Sequence, residues 1–211
     1  MAWTYFVVGS GSAGRRHSAN LQNLGKTVEH LAWRGFDAET FSSSLARCGG
    51  QAAVVIATAT DVRSELVDIC AVHNAPMYIE KPLAFTQKDV AEIYGIEIGL
   101  QQRSMVGFML RYHPLTMFLS RFDSGEFFRL QFEIGHDVRL WRENWSFSES
   151  YAARAEGGGV LLDLCHEIDL ACMICPSLAL DGVKSIGHES FVGVDFASTL
   201  SLVSPNGATG T

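Results

Sequence analysis

Short apolar runs alternate with segments of helical periodicity through the first half of the chain. The apolar runs predict strands, and the segments between them predict helices. The predicted strands are Tyr5–Val8, Val28–Trp33, Ala52–Ile56, Met77–Ile79 and Met105–Phe108, and the predicted helices are Ala13–Leu24, Thr40–Cys48, Asp61–His73 and Thr86–Ile98. This order indicates an α/β domain with a doubly wound parallel sheet.

The first, third and fifth predicted strands are nearly all apolar. Strands covered on both faces have this composition, so we expect these three to be central in the sheet. Asp61 and Thr86 are predicted to be helix N-caps, because short polar side chains accept hydrogen bonds from free backbone amides.

The second half of the chain alternates in the way that half-exposed strands do. Phe127–Ile134 predicts a strand whose core face holds Phe128, Leu130, Phe132 and Ile134, and Asp195–Val203 predicts another. A helix is predicted to follow Gly157–Gly159. With about 100° per residue, its core side holds Val160, Leu161, Leu164, Cys165, Ile168, Ala171 and Cys172.

Composition and charge narrow the function classes. The 211 residues are 47% apolar, which excludes a disordered chain, and the net charge of −7 argues against nucleic-acid or membrane-surface binding. The sequence shows no membrane span and no leader before the first strand, which favours a cytoplasmic protein. The five cysteines show no disulfide-framework spacing. Cys172-Met173-Ile174-Cys175 is formally a C-x-x-C motif, but ordinary buried thiols are favoured over a redox or zinc role, and no metal is expected.

A glycine-rich turn directly follows the first strand. The run Gly9-Ser10-Gly11-Ser12-Ala13-Gly14 has the G-x-G-x-x-G spacing of dinucleotide-binding turns. In such a turn Gly9 makes the bend, Gly11 lets a diphosphate approach the backbone, and Gly14 lets the helix pack closely. An ordinary glycine turn is the alternative, but the position between a strand and a helix favours the dinucleotide.

The end of the second strand predicts which dinucleotide is bound. Arg34 stands where an NAD-binding protein often has an acidic residue, and a guanidinium would attract the 2′-phosphate of NADP. NADP is therefore favoured over NAD. Alternatively, Arg34 is a solvated strand end, and Asp37 or a backbone group contacts the ribose.

Further polar residues follow the later strands. Ala57 and Thr58 after the third strand, and Glu80-Lys81-Pro82 after the fourth, are predicted to line the same crevice, where Lys81 could polarise a substrate oxygen. The alternative is that Lys81 is only a surface lysine before a turn.

Substrate contacts are predicted for a second set of residues, namely Arg111, His113, Trp141, Trp145 and Tyr151. The aromatic members of this set could instead only anchor the second domain.

Acidic residues surround a histidine in the helix after Gly157–Gly159. Asp163, His166, Glu167 and Asp169 fall on one side of that helix. A neighbouring carboxylate would orient the ring and support its protonated form, which suits His166 to general acid–base catalysis. The alternative is a solvated polar face.

Four segments in this order resemble the Gfo/Idh/MocA family of NAD(P)-dependent oxidoreductases, named for glucose–fructose oxidoreductase and inositol dehydrogenase. They are Gly9–His17, Glu80–Leu83, Gly107–Pro114 and Gly157–Asp169. The resemblance implies a Rossmann domain followed by an α+β domain with an open, mostly antiparallel sheet, and it implies a homo-oligomer. It also implies that Lys81, Asp163 and His166 are catalytic and that Pro82 follows a cis peptide bond.

The chain departs from the family pattern at three places. Ala59 replaces a usual proline, Arg63 replaces a usual histidine, and Asp163 precedes His166 by three positions where four is common. We expect a dinucleotide domain at 1–112 and a substrate and oligomerisation domain at 113–211 that is cut short at its C-terminus.

Hydride transfer to or from a sugar, polyol or nucleotide-sugar-like substrate is the favoured function. A non-catalytic dinucleotide-binding regulator or remnant is the main alternative, and reduction of an imine or tetrapyrrole is a further one.

Overall fold

The computed structural model describes residues 2–137, 140 and 146–211. The chain divides into two compact units, Met1–Gly107 and Phe108–Thr211. Residues 108–112, which the sequence assigned to the first domain, therefore lie in the second unit.

The first unit is a five-stranded parallel sheet with helices between its strands, as predicted. Its strands are β1 (Thr4–Val8), β2 (Thr27–Leu31), β3 (Ala52–Ile56), β4 (Met77–Ile79) and β5 (Met105–Val106). Its helices are α1 (Ser12–Asn23), α2 (Ala38–Arg47), α3 (Arg63–Val72), α4 (Gln87–Tyr94) and α5 (Ile98–Gln102), with a 3-10 turn at Thr60–Val62.

The strand order β2-β1-β3-β4-β5 puts β1 and β3 in the interior of the sheet and β5 at its edge. The apolar sequences of β1 and β3 are explained by this position, because Phe6, Val8 and Ile56 are fully buried. The prediction that the fifth strand is central was wrong. It is two residues long, and Met105 is 43% exposed.

Two details of the predicted helices need correction. Thr86 caps α4 through its side chain as predicted, but Asp61 lies inside the 3-10 turn and does not cap α3. The predicted helix Thr86–Ile98 is two helices. The first, α4, ends at Tyr94 with Gly95 as its C-cap. The second, α5, begins at Ile98, and the carboxylate of Glu97 caps it by accepting from the amide of Leu100.

The second unit contains α6 (Pro114–Leu119), α7 (Val160–Asp163) and α8 (His166–Ile174) beside a sheet with the order β6-β9-β8-β7. The strands are β6 (Arg129–Leu130), β7 (Ala179–His188), β8 (Phe191–Val203) and β9 (Thr209–Gly210). The β7–β8 and β8–β9 pairs are antiparallel, and β6 lies parallel to β9. This is the mostly antiparallel sheet that the resemblance implies.

Only part of the predicted strand Phe127–Ile134 is a strand. β6 covers two residues, and the amide of Phe132 also donates to the carbonyl of Thr211, over 2.9 Å. Phe128 is 89% exposed and Ile134 43% exposed, so their predicted core positions were wrong. A strand buries alternate side chains only where another layer packs on that face. An alternating sequence does not by itself show whether such a layer is present.

The predicted helix after Gly157–Gly159 is broken. α7 ends at Asp163 and α8 begins at His166, with Leu164 and Cys165 between them outside the helical conformation. The angles that placed the four polar residues on one side assumed an unbroken helix and therefore do not hold. Cys172, predicted to be buried, is exposed.

β7 was not predicted from the sequence. Its pairing with β8 shifts register after Leu180 and on both sides of Gly187. Each shift breaks the period of two by which a strand is recognised. In the part of the chain that the structure describes, no helix is long and apolar enough to cross a membrane.

Candidate functional site

The carboxyl ends of β1 and β3 lie next to each other where the strand order reverses. Doubly wound sheets bind their ligands at this point. The ladder continues past the strand ends, because the amides of Gly9, Ala57 and Glu80 donate to carbonyl oxygens of neighbouring strands over 2.8–2.9 Å. Three of the predicted cofactor segments therefore lie together at the carboxyl ends of the strands of the first unit.

Two of the three motif glycines are required by close packing. Gly9 has a φ of +123°, and a Cβ there would overlap the carbonyl of Ala57. A Cβ at Gly14 would overlap the carbonyl oxygen of Gly9, so α1 packs directly on the turn. These are the roles that the motif predicts for the first and third glycines.

Gly11 faces open space: apart from Gly11 itself and its two chain neighbours, no described residue has a heavy atom within 4 Å of the position that a Cβ would take. It precedes α1, whose N-terminus has no side-chain cap, and Ser10 and Ser12 beside it are exposed. The Oγ1 of Thr58 is buried and lacks a hydrogen-bond partner among the residues that the structure describes. An open glycine backbone, uncapped helix amides and a buried hydroxyl fit the diphosphate of a dinucleotide.

Arg34 lies in an exposed turn after β2. No carboxylate in the described part of the chain forms an ion pair with it. Asp37, the alternative ribose contact, caps α2 by accepting from the amide of Thr40 over 2.6 Å. Hydrogen bonds from Thr40 hold the pKa of Asp37 below its usual range.

Glu80 is held by groups on both sides. Its Oε1 lies 2.6 Å from Nε2 of His17 on α1, and its Oε2 accepts from the backbone amide of Lys81 over 3.2 Å. Burial alone would raise the pKa of Glu80, but the hydrogen bonds and the nearby positive charge outweigh burial and lower that pKa. The carboxylate is therefore a fixed anion that orients the peptide leading into Lys81.

The Lys81–Pro82 peptide bond is cis, as the resemblance implies. Lys81 itself is half-buried. It follows the carboxyl end of β4, on the side of the sheet where the glycine turn follows β1.

Arg63 is a site residue that sequence reasoning missed. It is 3% exposed, and its guanidinium donates to the backbone carbonyls of Thr58, Glu80, Pro82 and Leu83. The sequence marked Arg63 only as a departure from the family pattern. A local signal for its role is lacking, because all but the first of these partners follow it by at least 17 residues.

Asp163 and His166 lie on either side of the helix break in the second unit. Asp163, the last residue of α7, is 8% exposed, and His166, the first of α8, is half-buried. The ring of His166 packs edge-on against Phe108, with centroids 6.0 Å apart.

Arg111, a predicted substrate residue, pairs with Asp169 of α8. Its Nε donates to both carboxylate oxygens over 2.8 and 3.0 Å, and its Nη2 donates to Oδ1. The hydrogen bonds from Asp169 raise the pKa of Arg111. The guanidinium also lies 5.5 Å from the ring centre of Phe108. Its charge is therefore largely balanced within the unit.

Two of the other predicted substrate residues, His113 and Tyr151, lie in described parts of the second unit. His113 caps α6, because its Nδ1 accepts from the amide of Leu115 over 3.2 Å. Tyr151 is 45% exposed in a 3-10 turn. Trp141 and Trp145 lie outside the described residues.

The glycines before α7 hold that helix against β8. Gly159 has a φ of +86°, and a Cβ there would overlap Oδ1 of Asp195. Oδ2 of Asp195 accepts from the amide of Leu161 in the first turn of α7, over 3.0 Å. The sequence pointed to these glycines as part of a catalytic segment, and here they allow a close approach that places Asp163.

A cavity of about 490 Å³ lies in the second unit between α7–α8, β8 and residues 131–136. Glu167 and Leu164 line it, whereas Asp163 and His166 are not among its described lining residues. We therefore do not assign this cavity to the predicted catalytic pair.

Solved structures similar to the chain include several oxidoreductases. An oxidoreductase from Agrobacterium radiobacter, in complex with NAD+, L-tartaric acid and magnesium, aligns with 100% of this chain at a TM-score of 0.75 and 19% identity. The WlbA dehydrogenase from Bordetella pertussis, in complex with NADH and UDP-GlcNAcA, aligns with 100% at 0.71 and 14% identity. D-galactose-1-dehydrogenase from Rhizobium etli aligns with 99% at 0.72 and 16% identity.

The chain spans 65%, 71% and 69% of the lengths of these three proteins. Neither a family model nor a curated protein sequence matches the chain. At these identities the likeness concerns the fold. Over its whole length the chain has the fold of Gfo/Idh/MocA-type NAD-binding oxidoreductases, as its four sequence motifs predict.

Proposed function

We propose that the chain is an NAD(P)-dependent oxidoreductase acting on a hydroxyl or carbonyl carbon of a sugar, polyol or nucleotide-sugar-like substrate. The observation that carries this proposal is the glycine turn. It is closed by packing at Gly9 and Gly14, open at Gly11, and continuous with the uncapped N-terminus of α1. Two of the similar structures were solved with NAD+ or NADH, which supports the same class. A third is a galactose dehydrogenase, which also supports it.

We propose that Lys81, His166 and Asp163 handle the substrate oxygen and its proton. A nicotinamide, when bound, supplies or accepts the hydride. The ammonium of Lys81 donates a hydrogen bond to the substrate oxygen and polarises it. His166 removes or delivers the proton at that oxygen, and Asp163 orients the histidine or the substrate.

We propose NADP rather than NAD as the preferred dinucleotide. Arg34 is exposed after β2 and lacks a carboxylate partner among the described residues, whereas the carboxylate of Asp37 is engaged as a helix cap. A 2′-phosphate would therefore meet an available positive charge. We expect NADPH to bind at least about tenfold more tightly than NADH, a difference of about 1.4 kcal/mol.

The test combines fluorescence titrations of NADPH and NADH with a turnover screen of sugars, polyols and nucleotide sugars. Lys81→Met should lower kcat at least about 100-fold, while the Kd of the dinucleotide changes little. Lys88→Met is the matched control, because Lys88 is 83% exposed on α4, and it should leave both quantities unchanged.

Three other results would each revise the proposal. Full activity of Lys81→Met would remove Lys81 from the catalytic set. Tight dinucleotide binding without turnover of any substrate would favour the non-catalytic regulator. Binding of neither dinucleotide would overturn the proposal altogether.

A further inference from the structure

Arg63 carries a buried positive charge that backbone carbonyls surround. Its Nη1 donates to the carbonyl of Glu80 over 2.6 Å, to that of Pro82, and to that of Leu83 over 3.4 Å. Its Nη2 donates to the carbonyl of Thr58 over 2.9 Å. Among the described residues no carboxylate lies within ion-pair distance of the guanidinium.

Burying such a charge costs free energy, because the guanidinium loses its hydration. Burial lowers the pKa of Arg63 to about 10, so the group is still a cation at neutral pH. The planar fork of a guanidinium presents several donors in fixed directions, and carbonyl dipoles aimed at it offset part of the desolvation. The arrangement is stable only while those carbonyls keep their positions.

The carbonyls that Arg63 binds belong to the residues on either side of Lys81. Glu80 precedes Lys81 and Pro82 follows it, and the side chain of Glu80 is held separately by His17. Thr58 belongs to the loop after β3. The guanidinium therefore connects the peptide units around Lys81 to the loop after β3, and both lie at the carboxyl ends of the strands.

We propose that Arg63 is a positioning residue, which sets the direction of the Lys81 side chain by fixing the carbonyls of Glu80 and Pro82 and joining them to the loop at Thr58. Its effect on turnover rests on the proposed function of Lys81. Its effect on the local environment of Lys81 does not.

Three variants separate positioning from simple structural support. Arg63→Met removes every donor while keeping much of the buried stem. Arg63→Lys keeps the charge as a compact ammonium that cannot reach several carbonyls in different directions. Arg47→Met is the matched control, because Arg47 is an exposed arginine of the same unit whose guanidinium donates to the hydroxyl of Ser44 on its own helix.

The first measurement is the NMR signal of each lysine after reductive methylation with ¹³C. The chain has four lysines, namely Lys26, Lys81, Lys88 and Lys184, so the Lys81 signal is assigned from Lys81→Arg. In Arg63→Met this signal should move by more than its linewidth at a temperature where the variant is folded by circular dichroism. The signals of Lys26, Lys88 and Lys184 should stay in place, and Arg47→Met should move none.

The second measurement is the change in kcat relative to the change in substrate KM. A misplaced catalytic group can lower turnover about 100-fold. We expect Arg63→Met to lower kcat by about this factor, with a smaller change in KM, and Arg63→Lys to recover part of the loss.

A residue that only stabilised the fold would lower Tm and leave the Lys81 signal and kcat unchanged in the folded variant, and that result would overturn the proposal. Should Arg63→Met fail to fold, Arg63→Lys is judged by the same two criteria. If the unmodified protein turns over no substrate, the proposed function fails, and the Lys81 signal alone decides whether Arg63 positions it.

Discussion

At the scale of single residues, Gly9, Gly11 and Gly14 differ in what a side chain would meet. Backbone atoms fill the space beside Gly9 and Gly14, whereas the space beside Gly11 is open. The same residue type therefore serves packing at two positions and access at the third. This division separates the stability of the turn from its ability to bind a ligand.

We expect Gly14→Ala to lower the free energy of unfolding by at least about 2 kcal/mol, because the added Cβ overlaps the Gly9 carbonyl. Gly11→Ala is the matched change. The φ of −67° at Gly11 accepts alanine, so its stability should change by less than about 1 kcal/mol. Its methyl group should nevertheless weaken NADPH binding. Urea unfolding and fluorescence titration measure the two effects, and equal stability losses would contradict this account.

Glu80 predicts a pH dependence of stability. Its pKa is lower in the folded chain than in the unfolded chain, where a glutamate has a pKa of about 4.3. The carboxylate therefore contributes stability above that unfolded pKa, and the contribution is lost as the pH falls through the lower, folded pKa.

Urea unfolding of the unmodified chain and of Glu80→Gln between pH 7 and pH 3 measures this contribution. The stability difference between them should be largest near neutral pH and should shrink below about pH 4.3. Glu92→Gln, on the exposed pair with Lys88 of α4, is the control. A difference that grows on acidification would contradict the lowered pKa of Glu80.

At the scale of secondary-structure elements, local pattern and observed structure diverge most after Gly159. An unbroken helix would have exposed its acidic residues together, but α7 and α8 bury Asp163 and Asp169 separately. Asp169 is balanced by Arg111, which precedes it by 58 residues. The register shifts of β7 have a similar cause, since its partner β8 decides where the ladder slips.

The Arg111–Asp169 pair predicts a measurable coupling between α8 and the 3-10 turn Met109–Tyr112. Asp169 is 7% exposed, while the side chain of Arg111 is 47% exposed and partly screened by water. We expect Asp169→Asn to cost about 1–3 kcal/mol of stability, less than for a fully buried pair. A double-mutant cycle with Arg111→Met measures the coupling energy, and a value near zero would show that the pair contributes nothing.

At the scale of the whole molecule, the two units differ in how they are built. The first has at least one helix between each pair of successive parallel strands. The second has a mostly antiparallel sheet in which β7 and β8 are neighbours in the chain. The glycine turn, Arg34 and Lys81 belong to the first unit, and Asp163 and His166 belong to the second. Dinucleotide binding is therefore expected to stabilise mainly one unit.

A dinucleotide at 100 times its Kd should raise the free energy of unfolding by about 2.7 kcal/mol by mass action. Hydrogen exchange should show the protection concentrated in Met1–Gly107, around the start of α1 and the loops after β3 and β4. AMP at the same concentration is a suitable control, because it lacks the diphosphate bridge and the nicotinamide. Protection confined to Phe108–Thr211 would contradict the placement of the site.

Sequence alone determined the features that depend on near neighbours in the chain. Periodicity and backbone geometry over a few residues account for the apolar runs of β1 and β3, the glycine turn after β1 and the Thr86 cap. They also account for the alternation of strands and helices in the first unit. The four motifs together predicted the fold that the similar structures share.

Only the tertiary structure decided the edge position of β5, the break between α7 and α8, the exposure of Phe128, and the partners of Arg63 and Asp169. Each depends on groups distant in sequence that cover a face, occupy a sheet edge or balance a charge. Arg63 is the clearest example. The sequence shows only an arginine near the start of a helix. Its guanidinium becomes buried against four carbonyls only when the sheet brings the loops after β3 and β4 together.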